Sequence, residues 1–152
     1  MKILVLSDSH KDFSVILRVV EREKELDYII HAGDVHRDVE DIEAMWRHIP
    51  CISVLGNNDF GIWDVPTRRD FTLGNKKFLV THGHLYGVKG SLNRLWQEAA
   101  KADADICIFG HTHVAHLDEK NGIRMLNPGA AHRSYAVIEI EGDNIAIEIK
   151  EN

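Results

Sequence analysis

Side chains that commonly bind metal ions follow five strand-like segments of this 152-residue chain. Asp, Asn or His, together with small residues, occupy positions 7–10, 32–34, 56–59, 82–84 and 110–113. Ligands of open α/β sheets bind beyond the carboxyl ends of the strands, so we expect these five loops to converge on one rim. Glycines in four of the loops permit sharp turns and close approach of the backbone.

Each loop also has a simpler interpretation. Asp8 and Asp34 could each cap the N-terminus of a helix, and Gly56-Asn57-Asn58 could form a turn. A lone histidine after a strand is more often hydrogen-bonded than bound to a metal. All five loops would have to carry metal-binding residue types by chance, however, so their joint occurrence favours a shared site.

The spacing within two of the loops supports one site. Asp8 and His10 are two residues apart, as are His111 and His113, and residues i and i+2 of extended backbone point to the same side. The donors are carboxylate, amide oxygen and imidazole without thiolate, which suits Mn²⁺, iron, Zn²⁺ or Ni²⁺. These ligands are too many for one ion, and two ions that share a carboxylate would use them, as in phosphatases and nucleases.

The composition is that of one ordinary globular domain over residues 1–152, with 44% hydrophobic and 28% charged residues. The 18 Lys and Arg against 24 Asp and Glu give a net charge of −6, which argues against a nucleic-acid-binding patch. No apolar run reaches the length of a signal peptide or a membrane span, so we expect a soluble cytoplasmic protein. Cys51 and Cys107 lie in apolar stretches and are expected to be buried, reduced thiols.

Hydrophobic periodicity predicts the elements that position the loops. Apolar or alternating segments predict strands at 2–6, 28–31, 51–55, 71–73, 77–81, 106–109, 114–117, 123–126, 135–140 and 145–149. Apolar stripes of helical spacing predict helices at 13–20, 39–49 and 92–99. The order β-α-β-α-β followed by antiparallel strands predicts a mostly parallel first sheet, with the late strands in a second sheet and the helices outside.

The order and spacing of the five loops resemble the calcineurin-like metallophosphoesterase superfamily, especially its small single-domain phosphodiesterases of bacteria and archaea. The family pattern D-x-H, G-D, G-N, H and G-H-x-H reads here as Asp8-Ser9-His10, Gly33-Asp34, Gly56-Asn57, His82-Gly83-His84 and Gly110-His111-Thr112-His113, with Asn127-Pro128-Gly129 as a further turn. The resemblance implies an α/β protein built as a four-layer α/β/β/α sandwich of two mixed sheets, the metallo-dependent phosphatase fold.

The resemblance also implies a metal-ligand set. It assigns two divalent ions, most often Mn²⁺, with Ni²⁺, Zn²⁺, iron and Mg²⁺ as alternatives. One ion would be held by Asp8, His10 and His113, the other by Asn57, His82 and His111, and Asp34 would bridge them.

One position departs from the family pattern. Many members carry a histidine directly after the Gly-Asn pair, where it contacts substrate and protonates the leaving group, but here that position is Asn58. His84 and Asp59 are the remaining catalytic candidates, and His84 is preferred because imidazole titrates near neutral pH. Either could instead position the ligands, His84 by orienting His82. His31 is expected to pack or hydrogen-bond beneath the site.

These residues predict a dinuclear-metal-dependent phosphodiesterase that hydrolyses a small-molecule phosphodiester with a metal-activated hydroxide. A phosphomonoesterase or nucleotidase is an alternative, which the missing histidine disfavours because poor leaving groups need acid assistance. A non-catalytic interaction module is another, since a subunit of the eukaryotic retromer coat shares the fold with a degraded ligand set; the complete set of seven ligands here disfavours it. The expected partner is a small-molecule phosphoester, no membrane is expected, and the sequence leaves open a homo-oligomer.

Overall fold

In a computed structural model that describes all 152 residues, the chain forms two five-stranded sheets and three α-helices. The strands are β1 (Lys2–Leu6), β2 (Tyr28–His31), β3 (Cys51–Ser53), β4 (Arg68–Leu73), β5 (Lys76–Thr81), β6 (Ile106–Ile108), β7 (His116–Lys120), β8 (Ile123–Asn127), β9 (Ser134–Glu141) and β10 (Asn144–Glu151). The helices are α1 (Phe13–Arg22), α2 (His36–Met45) and α3 (Asn93–Lys101), with a 3₁₀ turn at His84–Tyr86. None of the helices has the length and apolar character needed to span a bilayer.

The first sheet has the strand order β10-β9-β1-β2-β3, and β1, β2 and β3 are parallel. Helices α1 and α2 connect these strands, as the alternating patterns in the sequence predict. The stripe of α1 buries Val15, Ile16 and Val19 against the sheet, because residues three and four apart share one helix face. Strand β9 runs antiparallel to β1 and places Val137 opposite Leu4.

The second sheet has the order β4-β5-β6-β8-β7, with parallel β5, β6 and β8 between two antiparallel edge strands. Helix α3 covers its outer face, where Leu95 and Ala99 pack with Leu79, Cys107 and Met125. Both sheets are therefore mixed.

Three apolar clusters fill the spaces between the four layers. Between the sheets, Val5 of β1 packs in one cluster with Val80 of β5. On the outer face of the first sheet, Leu4 packs in a second cluster with Ile16 of α1 and Ile42 of α2, and the α3 cluster is the third. Burial of one such side chain contributes about 1.5–3 kcal/mol. Helices cover both outer faces, which confirms the predicted four-layer α/β/β/α sandwich of two mixed sheets.

The expectation that the late strands build the second sheet is wrong for β9 and β10. This hairpin pairs with β1 and completes the first sheet, whereas β4 to β8 form the second. Strand β1 is buried from Ile3 to Leu6, so the backbone groups on its free edge need a strand partner, which β9 supplies. An alternating apolar pattern identifies a strand but does not specify the edge that it covers.

Several element boundaries also differ from the prediction; β3 ends two residues early and β4 begins three residues early, and α2 and β7 differ as well. Helix α2 ends at Met45 because the next residues form a turn, in which Ile49 N–H donates to Trp46 O at 2.8 Å. Strand β7 begins two residues later than expected, since Val114 N–H donates to Thr112 Oγ1 at 3.3 Å and stays in the loop.

The carboxyl ends of the parallel strands meet at one rim of the sandwich. Asp8 N–H donates to Gly33 O at 3.1 Å and joins the loops after β1 and β2. Between the sheets, His111 N–H donates to Asp8 Oδ2 at 3.0 Å, and within the second sheet Gly110 N–H donates to His82 O at 3.0 Å. The predicted convergence of the loops is present in the fold.

Neither cysteine forms a disulfide. Cys107 is buried in the cluster beneath α3, and Cys51 is half-buried at the start of β3. Burial raises the pKa of Cys51 to about 12 and also raises the pKa of Cys107, so both remain thiols at neutral pH.

A buried carboxylate, Glu23, follows α1, which packs on the first sheet, and is 5% exposed. Its Oε1 accepts hydrogen bonds from Tyr135 Oη and Lys150 Nζ, both at 2.9 Å, and Lys2 Nζ lies 3.0 Å from Oε2. Burial by itself raises the pKa of Glu23, but the hydrogen bonds from Lys150, Lys2 and Tyr135 outweigh burial and lower the pKa to about 2.

Replacing Glu23 by Gln should lower the free energy of unfolding at pH 7 by about 2 kcal/mol, because two lysines lose their buried anionic partner. A pKa that folding lowers from 4.5 to about 2 stabilises the native state fully above pH 4.5 and progressively less as the pH falls towards 2. The difference between wild type and Glu23→Gln in urea unfolding should shrink across this window. Glu21→Gln, at an exposed position of the same helix, is the control. An equal loss in both variants, or a constant difference down to pH 2, would contradict this assignment.

Candidate functional site

The first group of predicted ligands lies together at the rim. One ligand atom each from Asp8, His10 and His113 lies within 4.8 Å of the others. His113 Nε2 is 3.1 Å from Asp8 Oδ1, and the rings of His10 and His113 meet edge to face with centroids 4.8 Å apart. Asp8 is fully buried, whereas the two histidines are exposed. The group therefore has the composition that the sequence resemblance implies for one ion.

A second group lies beside the first. Ligand atoms of Asp8, Asp34 and His82 all lie within 4.8 Å of one another, and all three residues are buried. His82 Nε2 is 3.8 Å from Asp8 Oδ1, 3.8 Å from Asp34 Oδ1 and 3.2 Å from Asn57 Oδ1, and the ring of His111 lies 5.1 Å from that of His82. Asp8 belongs to both groups and Asp34 to the second, so the bridging role of Asp34 stays a prediction.

The orientation of His82 is set by a backbone carbonyl. His82 Nδ1 lies 2.8 Å from Ala32 O, and because a carbonyl oxygen only accepts, Nδ1 carries the proton. A neutral His82 imidazole therefore presents the lone pair of Nε2 to the oxygens of Asn57, Asp8 and Asp34. A cation among these electron-rich atoms would satisfy all of them at once.

Asp8 provides a second observation that fits a bound cation. Its Oδ2 accepts hydrogen bonds from Ser7 Oγ at 2.7 Å and from His111 N–H at 3.0 Å, which fix the carboxylate. Its Oδ1 is buried and accepts no hydrogen bond, although it faces His113 and His82. A buried carboxylate oxygen without a partner is costly, and a divalent ion in contact with these nitrogen and oxygen donors would be that partner.

Left-handed backbone recurs at the candidate ligands. Of the nine non-glycine residues with positive φ, five are predicted ligands, with φ of 53° at Asp8, 53° at His10, 54° at Asp34, 67° at His111 and 60° at His113. The expectation that extended backbone directs the i and i+2 pairs to one side is therefore wrong, since the loops turn sharply at each ligand. Such strain costs about 1–3 kcal/mol per residue and concentrates at functional sites.

Two glycines allow the loops to approach each other. A Cβ added at Gly56 would lie 2.2 Å from Asp34 Oδ1, and one at Gly110 would lie 2.0 Å from Ser7 Oγ. Any larger residue at these positions would displace a buried aspartate or the serine that fixes Asp8. This close approach agrees with the interpretation of the loop glycines from the sequence.

His84 lies beside the second group but does not orient His82. The rings of His84 and His82 are 5.5 Å apart, whereas the hydrogen bond to His82 Nδ1 comes from Ala32 O. The Nδ1 atom of His84 is buried and has no hydrogen-bond partner. Burial and the neighbouring His82 lower the pKa of His84 below its usual value. Sequence reasoning missed Ala32, because a backbone carbonyl leaves no signal in residue type.

Asp59 and Asn58 both bind groups of the site itself. Asp59 accepts the N–H groups of Gly56 and His36, each at 2.7 Å, and of Asp34 at 3.3 Å, so its oxygens organise two loops. Asn58 donates its backbone N–H to Asp34 Oδ1 at 2.9 Å and its side-chain N–H to Asp34 Oδ2 at 2.5 Å. These contacts favour the positioning alternative for Asp59. Helix α2 begins after Val35, so Asp34 is not its N-cap.

Asn127 holds the last ligand loop in place. Its Nδ2 donates to Gly110 O at 3.0 Å and to Thr112 Oγ1 at 2.9 Å, while its Oδ1 accepts Gly129 N–H at 2.9 Å. The sequence pattern identifies Asn127 only as part of a turn, because its partners are distant along the chain.

Comparisons with known proteins match nearly the whole chain. Residues 1–143 match the family model described as "Calcineurin-like phosphoesterase superfamily domain". A Bacillus subtilis (strain 168) protein named "Probable metallophosphoesterase" is 36% identical over 154 residues, which cover 94% of this chain and 86% of that protein. A Methanocaldococcus jannaschii protein named as a phosphodiesterase is 29% identical over 150 residues, which cover 85% of this chain and 83% of that protein.

Solved structures share the same architecture. A Streptococcus pneumoniae TIGR4 protein described as a predicted phosphoesterase has a TM-score of 0.82 and 30% identity, covering 99% of this chain and 88% of that one. A single mutant of Vps29 from Entamoeba histolytica has a TM-score of 0.78 and 22% identity, covering 100% of this chain and 99% of that one. The Vps29 likeness shows the fold alone, because the identity is below 25%.

Replacing Gly56 by Ala should disrupt the site, because the new Cβ would displace the Asp34 carboxylate. We expect a loss of about 1–3 kcal/mol in the free energy of unfolding of the metal-free protein, as overpacking usually costs. Binding of Mn²⁺ in calorimetric titrations should weaken at the same time. Gly90→Ala is the matched control, since its Cβ would meet only Gly87 O at 3.6 Å. Unchanged Mn²⁺ binding by Gly56→Ala would refute the proposed dependence of the site on this contact.

Proposed function

The chain belongs to the calcineurin-like phosphoesterase superfamily, and from this premise we propose that it is a dinuclear-metal-dependent phosphodiesterase acting on a small-molecule phosphodiester. The observation that carries the proposal is the buried meeting of Asp8 Oδ1, Asp34 Oδ1 and His82 Nε2, where Asp8 Oδ1 accepts no hydrogen bond. Membership of the family supports phosphoester hydrolysis, and the donor set supports metal dependence.

The seven ligands would be shared between two ions. We assign Asp8, His10 and His113 to one ion, Asn57, His82 and His111 to the other, and Asp34 as the bridge. Divalent ions held there, Mn²⁺ first and Ni²⁺, Zn²⁺, iron or Mg²⁺ as alternatives, would supply Lewis-acid activation of a water and neutralise phosphate charge.

The chain's own groups prepare this site before any substrate arrives. Ala32 O holds His82 with its Nε2 towards the carboxylates, and Ser7 Oγ holds Asp8 by its other oxygen. Asn58 fixes both oxygens of Asp34 from the neighbouring loop. Prior orientation of ligands lowers the cost of assembling them around an ion or a transition state.

The groups around Asp34 favour diesters over monoesters. Asn58 occupies the position where many family members have a histidine that protonates the leaving group, and its backbone N–H and its side-chain amide both donate to Asp34. An amide has no proton to transfer at neutral pH, and Asp59 is occupied by backbone N–H groups. Substrates whose leaving group needs little protonation should therefore react best, and the 29% identical phosphodiesterase supports this choice.

His84 is assigned as the substrate contact. Its ring lies 5.5 Å from the ring of His82 and 6.1 Å from that of His111, so an imidazole borders the second ligand group without belonging to it. From that position it would donate a hydrogen bond to a phosphate oxygen. That the protein is cytoplasmic and that residues 1–152 form one domain stay predictions. The sequence also leaves open a homo-oligomer.

Replacing Asp34 by Asn should abolish hydrolysis and lower metal content together, because the amide removes the negative charge that would bridge the ions. We expect a larger fall in activity than the loss of about 10–100-fold that is typical when a residue supporting the ligands is replaced. The assay would reconstitute metal-free protein with Mn²⁺, Ni²⁺, Zn²⁺ or Mg²⁺ and compare bis(p-nitrophenyl) phosphate with p-nitrophenyl phosphate. Metal content would be measured on the same samples.

Asp64→Asn is the control for this experiment, because Asp64 is exposed and lies in the connection between β3 and β4, outside the predicted ligand set. It should retain both activity and metal. Full activity and metal content in Asp34→Asn would exclude the bridging role. Faster monoester cleavage by the wild type would favour the phosphomonoesterase. No turnover with any metal would favour the interaction module.

Replacing His84 by Gln should lower kcat/KM for the diester about 10–100-fold, the loss expected for one hydrogen bond to a charged group, while the metal content stays at two ions per chain, because the residue would contact substrate and not metal. Steady-state kinetics and elemental analysis of the same preparation check both halves of this expectation. Loss of metal in parallel with activity would instead make His84 part of the support of the ligands.

A further inference from the structure

Beneath the rim, His31 lies at the end of β2 and is only 1% exposed. Gly33 N–H donates to His31 Nδ1 at 3.3 Å, and Ser9 Oγ lies 3.1 Å from His31 Nε2. The Ser9 hydroxyl donates in turn to Asp38 Oδ2 at 2.5 Å, within the first turn of α2. The hydrogen bonding expected of His31 beneath the site is therefore part of a chain that links three elements.

The donors and acceptors of this chain allow one assignment. A backbone N–H can only donate, so His31 Nδ1 accepts from Gly33 and the neutral imidazole carries its proton on Nε2. That proton is donated to Ser9 Oγ, whose own proton goes to the Asp38 carboxylate. Burial lowers the pKa of His31 to about 4, which keeps the imidazole neutral at pH 7. An apolar residue at position 31 would leave the buried Gly33 N–H without its acceptor and the Ser9 hydroxyl without the hydrogen bond that it accepts.

The hydrogen bonds among His31, Ser9 and Asp38 connect the two loops that carry the buried carboxylates. Ser9 is the middle residue of the first loop and lies between two predicted ligands, while Gly33 directly precedes Asp34 in the loop after β2. Asp38 Oδ2 also accepts the N–H of Lys11 at 3.1 Å, so α2 holds the far side of the first loop as well. A change in this chain would shift both loops relative to each other.

We propose that Ser9, His31 and Asp38 form a positioning network that fixes the loops after β1 and β2 and thereby sets the affinity of the rim for divalent ions. The inference rests on the proposed function, because it requires the rim to bind such ions. The three residues act through the ligands that they orient and are not ligands themselves. Removal of groups in such positions typically weakens metal binding about 10–100-fold.

The test uses two pairs of variants in the full chain. His31→Leu removes both hydrogen bonds at similar volume, whereas His31→Gln keeps an amide N–H that can donate to Ser9. Asp38→Ala removes the acceptor, whereas Asp38→Asn keeps a carbonyl oxygen for Ser9 and Lys11. Calorimetric titration of each metal-free protein with Mn²⁺ should give about 10–100-fold weaker binding for the first member of each pair and recovery to within a few-fold of wild type for the second.

Tyr135→Phe is the matched control for a purely structural effect. It removes a buried hydroxyl that donates to Glu23, a residue that follows α1 and hydrogen-bonds to none of the predicted ligands, so it should lower the unfolding temperature and leave Mn²⁺ affinity unchanged. The double variant His31→Leu with Asp38→Ala should bind Mn²⁺ no more weakly than the weaker single variant, because both break the same chain. Circular dichroism verifies folding, and if His31→Leu does not fold, the Asp38 pair provides the test.

The outcomes separate this inference from the function on which it rests. If the wild type binds Mn²⁺ and His31→Leu or Asp38→Ala binds it equally tightly, only the proposed positioning network is overturned. Equal weakening by Tyr135→Phe, or multiplied effects in the double variant, would also overturn it. Absence of Mn²⁺ binding by the wild type would overturn the proposed function, and the network proposal with it.

Discussion

The mutual repulsion of electron-rich atoms at the rim is the interaction on which the rest of this structure depends. The carboxylates of Asp8 and Asp34 and the Nε2 lone pair of His82 share a buried space, and Asp8 Oδ1 accepts no hydrogen bond there. Buried charges persist only when they are paired or coordinate a metal. Divalent ions, as proposed, would convert this repulsion into attraction and explain why the chain as a whole can be acidic yet receive an anionic phosphoester.

The fold supplies the energy that holds these atoms together. Ligand loops with left-handed backbone at Asp8, Asp34 and His111 are strained, and they are fixed by parallel strands whose apolar side chains fill three clusters. The clusters lie between the sheets and on their outer faces, whereas five of the nine left-handed non-glycine residues are predicted ligands at the rim. The Glu23 network joins the end of α1 to β9 and β10 and includes none of the predicted ligands.

Much of this arrangement could be predicted from the sequence, because residue type and periodicity carry it. Asp8-Ser9-His10 and Gly110-His111-Thr112-His113 follow apolar runs, which identifies ligand types at strand ends, and helical stripes identify the outer layers. The pairing of β9 with β1 could not be predicted, since both possible sheets offer an apolar edge. The left-handed φ of the ligands and the contact of His82 with Ala32 O could not be predicted either, because they depend on backbone geometry, which residue type does not encode.

Anomalous scattering from a crystal of the wild-type protein grown with Mn²⁺ measures the content of the rim most directly. Two peaks are expected, one against Asp8, His10 and His113 and the other against Asn57, His82 and His111, with Asp34 in contact with both. Such a map would show that the unpartnered oxygen of Asp8 and the Nε2 atom of His82 both face an ion. A map at saturating Mn²⁺ with no peak at the rim would contradict a dinuclear metal site in this chain.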